Sequence, residues 1–372
     1  MIPANASPLR VLHAPVNIGN QPWNLSRAER QLGLESDLVV NYPTWIGYPA
    51  DQVLGRYQGR SGRELFQRAA FGLSAPLRYD VLHYYFGRSL LYWDDLPAFN
   101  KAPFADLKLA RRLGKRVFMT LQGCDARLAG QSNSRNAHTP CGPGRCGAYE
   151  TCIASLDRER QHLIDTVLPL CDRVFYLNPE LGHYVPNATF MPYASVDIDG
   201  IAVVPPKYRD IPIVVHAPSD PKIKGTAQIV EALNSIKDRY PFELVLVTGK
   251  THEEAMRIYR DADLVIDQVL AGWYGGFAVE VMAMGKPVVC AIREDDLAVL
   301  PPGMRRDMPI LPVDPARLAD DFAAIFQKRA QWGDIGLACR RYVERWHHPV
   351  RIAHALERIY RDPSAPFDIS ED

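Results

Sequence analysis

A lysine, a glutamate and three glycines in the second half of this chain stand in an order suited to binding a phosphorylated ligand. Residues 263–292, DLVIDQVLAGWYGGFAVEVMAMGKPVVCAI, read as strand, glycine turn, helix and strand. Leu264 to Ile266 are apolar and partly β-branched, and Val288 to Ile292 repeat that character. Between them, Gly272, Gly275 and Gly276 permit a sharp turn and a close approach of backbone to ligand. A helix is expected from about Phe277 to Met284, stopped by Gly285-Lys286-Pro287. Free N–H groups and the helix dipole at its start suit a phosphate. Glu280, in or near the first turns, has the carboxylate to bind hydroxyls such as those of a ribose.

Upstream, the run His216 to Gly225, HAPSDPKIKG, follows a strand and opens a helix. Lys224 there can neutralise a diphosphate, and Lys222 adds a second cation, as a point charge rather than a fork. Alone, Lys224 is a solvated turn lysine. Joined to Glu280 and Gly275-Gly276, it reads as a phosphate clamp. In the first half, Gln122-Gly123-Cys124-Asp125-Ala126-Arg127 follows a strand and is either a site loop or an ordinary polar strand end. Asn17-Ile18-Gly19-Asn20 follows the first strand but lacks G-x-G-x-x-G spacing, so a dinucleotide reading is weak.

These groups need strands to hold them. The chain alternates strand and helix patterns, which predicts an α/β protein with parallel sheets. Strands are expected at Leu9–His13, Asp37–Val40, Asp80–Tyr84, Val117–Leu121 and Val174–Leu177, then at Ile213–His216, Leu244–Val247 and the two in 263–292. Helices are expected at Leu25–Leu32, Phe104–Leu113, Thr226–Ile236 and Glu253–Arg260. Pro192 to Tyr208 is proline-rich and irregular, a linker by composition. An arginine-rich helical stretch, 335–359, closes the chain and is interrupted at Pro349. Two doubly wound domains with a cleft between them is the simplest architecture, with ligands outside the carboxyl ends of the strands. The expected divisions are residues 1–200, residues 201–345 and a final helix over 346–372.

Totals agree with two folded domains: 372 residues, 47% of them hydrophobic. Forty-three basic residues balance 43 acidic ones, which removes any bulk-charge case for nucleic acid. No apolar run approaches the roughly 18 to 20 residues a spanning helix needs. The start of the chain, with Arg10 inside the first strand, does not read as a signal peptide. Seven cysteines suit a reducing cytoplasm. Cys141, Cys146 and Cys152, with His138 or Cys124 as a fourth ligand, could hold a structural zinc ion. The alternative is a thiol-bearing loop or an air-oxidised disulfide. Residues 55–78 mix Arg56, Arg60, Arg63, Arg68 and Arg78 with Leu65, Phe66, Phe71 and Leu73. That is either a peripheral contact with anionic lipid or a helix packed on its own domain with arginines in water. Gly249-Lys250-Thr251 lacks the first glycine of a P-loop, because residue 244 is leucine. Asp197-Ile198-Asp199 and Asp261-Ala262-Asp263 read as capping or solvated carboxylates, and His347-His348 as surface or core residues.

Glu280 followed by VMAMGKPVV resembles the signature of GT-B-fold, family 4-like retaining glycosyltransferases. The WYG-FAVE form resembles a subgroup of bacterial enzymes of polysaccharide assembly. The family's first glutamate falls at residue 272, where this chain has Gly272; Lys224-Gly225 matches the K-G of its R-x4-K-G clamp, with Ser219 at the arginine position. Gln122 to Arg127 resembles H-G-S-D-x-R, with Gln122 replacing histidine, and Gly19 is the best candidate for the glycine facing the donor phosphates.

The resemblance implies a GT-B fold, two Rossmann-like domains facing across a cleft, with donor on the second and acceptor on the first. It implies transfer of a sugar from a nucleotide diphosphate sugar of UDP or GDP type to a hydroxyl of a glycan or lipid-linked glycan. No catalytic cofactor is required. The implied catalytic residues are Lys224, Asp125 and Gln122, and the implied donor site is Gly19, Ser219, Lys222, Lys224, Gly275, Gly276, Phe277 and Glu280. Trp273 and Tyr274 either stack on sugar or base or pack against the turn. A non-catalytic nucleotide-binding scaffold and a GT-B epimerase or hydrolase acting on the nucleotide sugar are the alternatives. The protein is expected in the cytoplasm or at the inner face of the membrane.

Overall fold

The computed structural model describes residues 8–44 and 47–370. Residues 1–7 of the opening stretch that does not read as a signal peptide lie outside the described residues. The chain forms two compact units. Unit 1 comprises Met1–Arg127, Arg158–Val196 and His348–Asp372. Unit 2 comprises Leu128–Asp157 and Asp197–His347.

Unit 1 is built on a seven-stranded sheet: β1 (Arg10–Ala14), β2 (Glu35–Val40), β3 (Gln52–Val53), β4 (Val81–Tyr85), β5 (Arg116–Leu121), β6 (Arg173–Tyr176) and β7 (Thr189–Phe190). Its order is β3-β2-β1-β4-β5-β6-β7, parallel throughout. Val11 lies opposite Ser36 on one side and Val81 on the other. Val11, Leu12, Leu38, Leu82, Val117 and Phe118 are fully buried, as expected of strands covered by helices on both faces. The two-residue strands β3 and β7 carry too little pattern to be read from sequence.

Polar groups are also sealed into this core. Tyr360, on the C-terminal helix Pro349–Arg361, donates to Glu29 Oε1 at 3.1 Å and meets His83 Nδ1 at 2.7 Å. Glu29 holds His13 Nε2 at 2.8 Å and accepts from Ser36 at 2.6 Å. All five side chains are buried, and burial pushes the His83 imidazole well below its ordinary value. Satisfied buried networks of this kind define one packing, here of the last helix on the helix Gln21–Gln31.

Unit 2 is built on a five-stranded parallel sheet: β8 (Ile213–His216), β9 (Glu243–Leu246), β10 (Leu264–Ile266), β11 (Val288–Cys290) and β12 (Leu311–Pro312). Its order is β12-β11-β10-β8-β9. The chain leaves β8 for β9 on one side, then returns to place β10 on the other. The strand order therefore reverses between β8 and β10, and a crevice for ligands belongs at their carboxyl ends. The core joins Val214, Ile266 and Val289 to Ile229 and Leu233 of the helix Thr226–Ile236 and Phe322 and Phe326 of the helix Leu318–Gln327. The closing helical stretch breaks where expected. Trp332–Trp346 belongs to unit 2 and Pro349–Arg361 to unit 1.

Candidate active site

The carboxyl edge of the unit 2 sheet gathers most of the residues singled out by spacing. His216 ends β8, and its Nδ1 donates to the Ile266 carbonyl of β10 at 2.9 Å while Nε2 meets Thr226 Oγ1 at 2.9 Å. Burial lowers its pKa, so it is a neutral brace between the two strands at the reversal point. Asp220 then caps the short turn Pro221–Lys224, accepting from the Lys222 and Ile223 amides. Gly225 closes that turn at φ +78°, and a Cβ there would lie 2.5 Å from Val269 Cγ2. Only glycine fits such a position without strain. The K-G pair is thus a backbone requirement that aims Lys224.

The Lys224 ammonium lies 2.8 Å from Oδ1 of Asp267, the first residue after β10. Asp267 is fully buried, and its Oδ2 accepts from the Gly275 N–H at 2.7 Å. A Cβ on Gly275 would stand 3.4 Å from Lys224 Nζ. Asp267 therefore fastens lysine, glycine turn and strand end together. Sequence reasoning passed over it, although a carboxylate directly after a buried strand was the available signal. The Gly275 N–H is committed to Asp267 rather than free for a phosphate. Gly276 opens the helix Gly276–Ala283, so the amides of Gly276, Phe277 and Ala278 are the ones without helical partners of their own. Ser219 and Lys222 are exposed beside the turn.

Glu280 lies one turn into that helix, 17% exposed, with Oε1 2.6 Å from His252 Nε2. His252 begins the helix His252–Asp261, capped by Thr251 through a reciprocal bond with Glu254, so the P-loop look-alike is a helix start. The hydrogen bond to Glu280 raises the His252 pKa. A raised histidine pKa means the contact is strongest below the ordinary value of about 6.5 and weakens as pH rises through the higher folded value. If a ribose takes Glu280 from His252, nucleotide affinity should rise across that pH window in the native protein and stay level in His252→Gln. Titration calorimetry at several pH values checks this; parallel profiles for the two proteins would exclude competition by His252.

Gly272 adopts φ +74°, and the space a side chain would take is filled by the Arg293 guanidinium, whose carbon lies 2.5 Å from an added Cβ. Arg293 is held by Asp296 at 2.9 Å. Trp273 and Tyr274 are buried and stacked on one another at 4.1 Å, with Tyr274 bonded to Tyr342 and His347. They pack inside unit 2, which decides between the two roles open to them. Asp263, read as a capping or solvated carboxylate, is instead buried, paired with Arg209 and accepting from the Ile213 amide.

In unit 1, Gln122 directly follows β5, and its Nε2 donates to the Ile18 carbonyl at 3.4 Å, joining it to the loop after β1. Gly19 and Asn20 both have positive φ there, ahead of the helix Gln21–Gln31. The Asp125 carboxylate turns inward and accepts from the Gln122 and Gly123 amides at 3.0 and 2.6 Å. Burial raises its pKa. It shapes the loop and presents no open carboxylate. Around this loop, Asn17 Oδ1, Gln21 Nε2, Gln122 Oε1 and Ser195 Oγ are buried without a hydrogen-bond partner among the described residues.

The zinc expectation is not supported. Among the described residues no three His, Cys, Asp or Glu side chains gather to hold a metal. Cys141 and Cys152 pack with Ala129 in a small apolar cluster, Cys124 is exposed, and the Cys146 sulfur faces the Ala148 amide at 3.4 Å. His138 contributes its backbone carbonyl to Arg293 at 3.4 Å. The spacing put candidate cysteine and histidine ligands in one stretch, but among the described residues their side chains do not gather at one centre.

No protein-family model matches this chain, and no curated protein matches it in sequence. Solved structures do match in fold. A sucrose-phosphate synthase from Thermosynechococcus elongatus shares 16% identity over 95% of this chain and 99% of that one, with a TM-score of 0.59. The catalytic domain of starch synthase IV from Arabidopsis thaliana, bound to ADP and acarbose, shares 11% over 95% and 99%, with a TM-score of 0.55. HepE from Anabaena, in complex with UDP-glucose, shares 10% over 94% and 99%, also at 0.55. The chain therefore has the α/β fold of the GT-B glycosyltransferases.

Proposed function

We propose that this protein is a glycosyltransferase that moves a sugar from a nucleotide diphosphate sugar to a hydroxyl of a glycan or lipid-linked glycan, with retention at the transferred carbon. The observation that carries the reading is the Lys224–Asp267–Gly275 cluster beside the Gly276 helix start, at the point where the unit 2 strand order reverses. An ammonium has three donors, and Asp267 takes one. The other two serve the diphosphate, together with the amides of Gly276 and Phe277 and with Lys222 and Ser219 at the rim. Glu280 holds the ribose. The solved neighbours bound to ADP or UDP-glucose agree with such a donor.

Catalysis in this reading is electrostatic. Lys224 and the helix start stabilise the charge that grows on the diphosphate as the glycosidic bond breaks, from positions set before the ligand arrives. Asp267 keeps Lys224 in that position. On unit 1, the Oδ1 of Asn17, the Nε2 of Gln21 and the Oε1 of Gln122 are left to bond hydroxyls of the acceptor, Gly19 gives the loop its turn, and Asp125 holds the loop in shape.

A thermal-shift screen with UDP, GDP, dTDP, ADP and CMP tests this. A nucleotide at a hundredfold its dissociation constant adds about 2.7 kcal/mol, a visible shift. One nucleotide should stand out, and its sugar conjugate should be consumed when acceptor is supplied. Absence of a shift with all five would reject the donor site. Binding without turnover would favour a non-catalytic scaffold.

A further inference from the structure

The helix Gly62–Arg78 is apolar on two faces, and only one of them is covered. Phe71, Gly72, Ala75 and Pro76 face inward. Gly72 sits so close to Leu91 that a Cβ would lie 2.6 Å from Leu91 Cδ2. Arg68, on the same side, is fully buried and pairs with the equally buried Asp95 at 3.0 Å. That pair and the reciprocal Ser61–Glu64 cap fix the rotation of the helix. Its outer face cannot turn inward without stripping Arg68 of its partner. On that outer face Phe66 is 74% exposed, Leu73 52% and Leu77 66%. With Ala70 they repeat at helical spacing, an apolar stripe along a surface helix.

Exposed cations lie on this helix, just before it, and along the helix packed beside it. The neighbouring helix Ala105–Arg112 packs against this one. Residues 55–78 and 101–116 together hold eleven Lys and Arg against two carboxylates, in a chain whose totals are equal. Of those carboxylates, Asp106 is buried and Glu64 is held by Arg56. Arg60, Arg63, Arg78, Lys101, Lys108 and Arg112 are exposed and form no ion pair among the described residues. We propose that this face, Phe66, Leu73 and Leu77 together with those six cations, docks on an anionic lipid bilayer, with the helix lying in the interface plane.

The combination selects the partner. Leucine and phenylalanine stripes are buried by hydrocarbon, which nucleic acid does not offer, while unpaired arginines and lysines meet lipid phosphates. A second copy docked about a twofold axis would set like-charged rims against each other. No helix among the described residues is long and apolar enough to cross a membrane, so the surface lies on the bilayer. The surface is independent of the sugar-transfer reading. It adds to it a place for the acceptor: the head of a lipid embedded in the same bilayer.

Vesicle sedimentation of the full chain tests the proposal. The protein should pellet with phosphatidylcholine vesicles containing phosphatidylglycerol, stay in solution with phosphatidylcholine alone, and bind more weakly as salt rises. Phe66→Ser/Leu73→Ser/Leu77→Ser should lower the partition coefficient about tenfold or more. Arg60→Gln/Arg63→Gln/Lys108→Gln should lower it similarly, and it touches only solvated side chains, so it decides the matter even if the apolar variant fails to fold. Wild-type protein that ignores anionic vesicles would overturn the proposal, as would binding unchanged in the charge variant. Self-association abolished by the serine variant, without vesicle binding, would assign the face to a second copy instead. Nucleotide binding measured on the same samples keeps the two readings apart, since it should be the same in both variants.

Discussion

Lys224→Met should cut turnover on the order of 10²-fold or more, the usual cost of removing a preorganised stabiliser of transition-state charge. It should also lower the melting temperature. Asp267 is fully buried, and loss of its lysine leaves an unpaired carboxylate, which costs about 3 kcal/mol or more. The two effects can be separated. Adding Asp267→Asn removes the stranded charge while its side-chain oxygen still accepts from the Gly275 amide. The double variant should therefore regain stability and remain slow. Melting curves and steady-state rates on the single and double variants make the measurement. Recovery of turnover along with stability would show that Lys224 serves only to balance Asp267.

Glu280→Gln should weaken nucleotide binding about tenfold or more, within the range for loss of a hydrogen bond to a charged group. The change keeps size and helix position, so it isolates the carboxylate. Comparing each nucleotide with its deoxyribose form gives the sharper test. The native protein should prefer the ribonucleotide, and the variant should lose that preference. Calorimetry on the four combinations yields the coupling between Glu280 and the sugar hydroxyl. An equal preference in both proteins would remove Glu280 from the ribose. His252 bears on the result, since it holds Glu280 at 2.6 Å and would have to release or share it with a ribose bound there.

Local pattern carried much of this protein. Alternating buried strands and glycine-stopped helices announced the α/β class, because strand and helix periods are set by the backbone. Strands β8 and β10, the helix after Gly276 and the break before Pro349 all fall within a residue or two of the pattern. The Lys224-Gly225 and Gly275-Gly276 pairs were legible for a related reason: turns of this kind restrict residue type at each position. The two-residue strands β3, β7 and β12 were not, since two residues show no alternation.

Contacts between distant segments were decided by the tertiary structure. Asp267 is 43 residues from Lys224, and only the adjacency of β8 and β10 turns the two into one cluster. Within the loop after β10, Asp267 takes the Gly275 amide, and the helix that follows β9 brings His252 onto Glu280. Asp125 shows the converse: spacing named the residue, but folding of its own loop turned the carboxylate inward. The zinc expectation finds no support for a like reason, since ligand types close in sequence need not point at one centre. For the helix Gly62–Arg78, composition left two roles open, and the buried Arg68–Asp95 pair settles which apolar face remains outside. Sequence determines which residues can make a strand, a turn or a charge; the order in which strands lie side by side determines which of those charges meet.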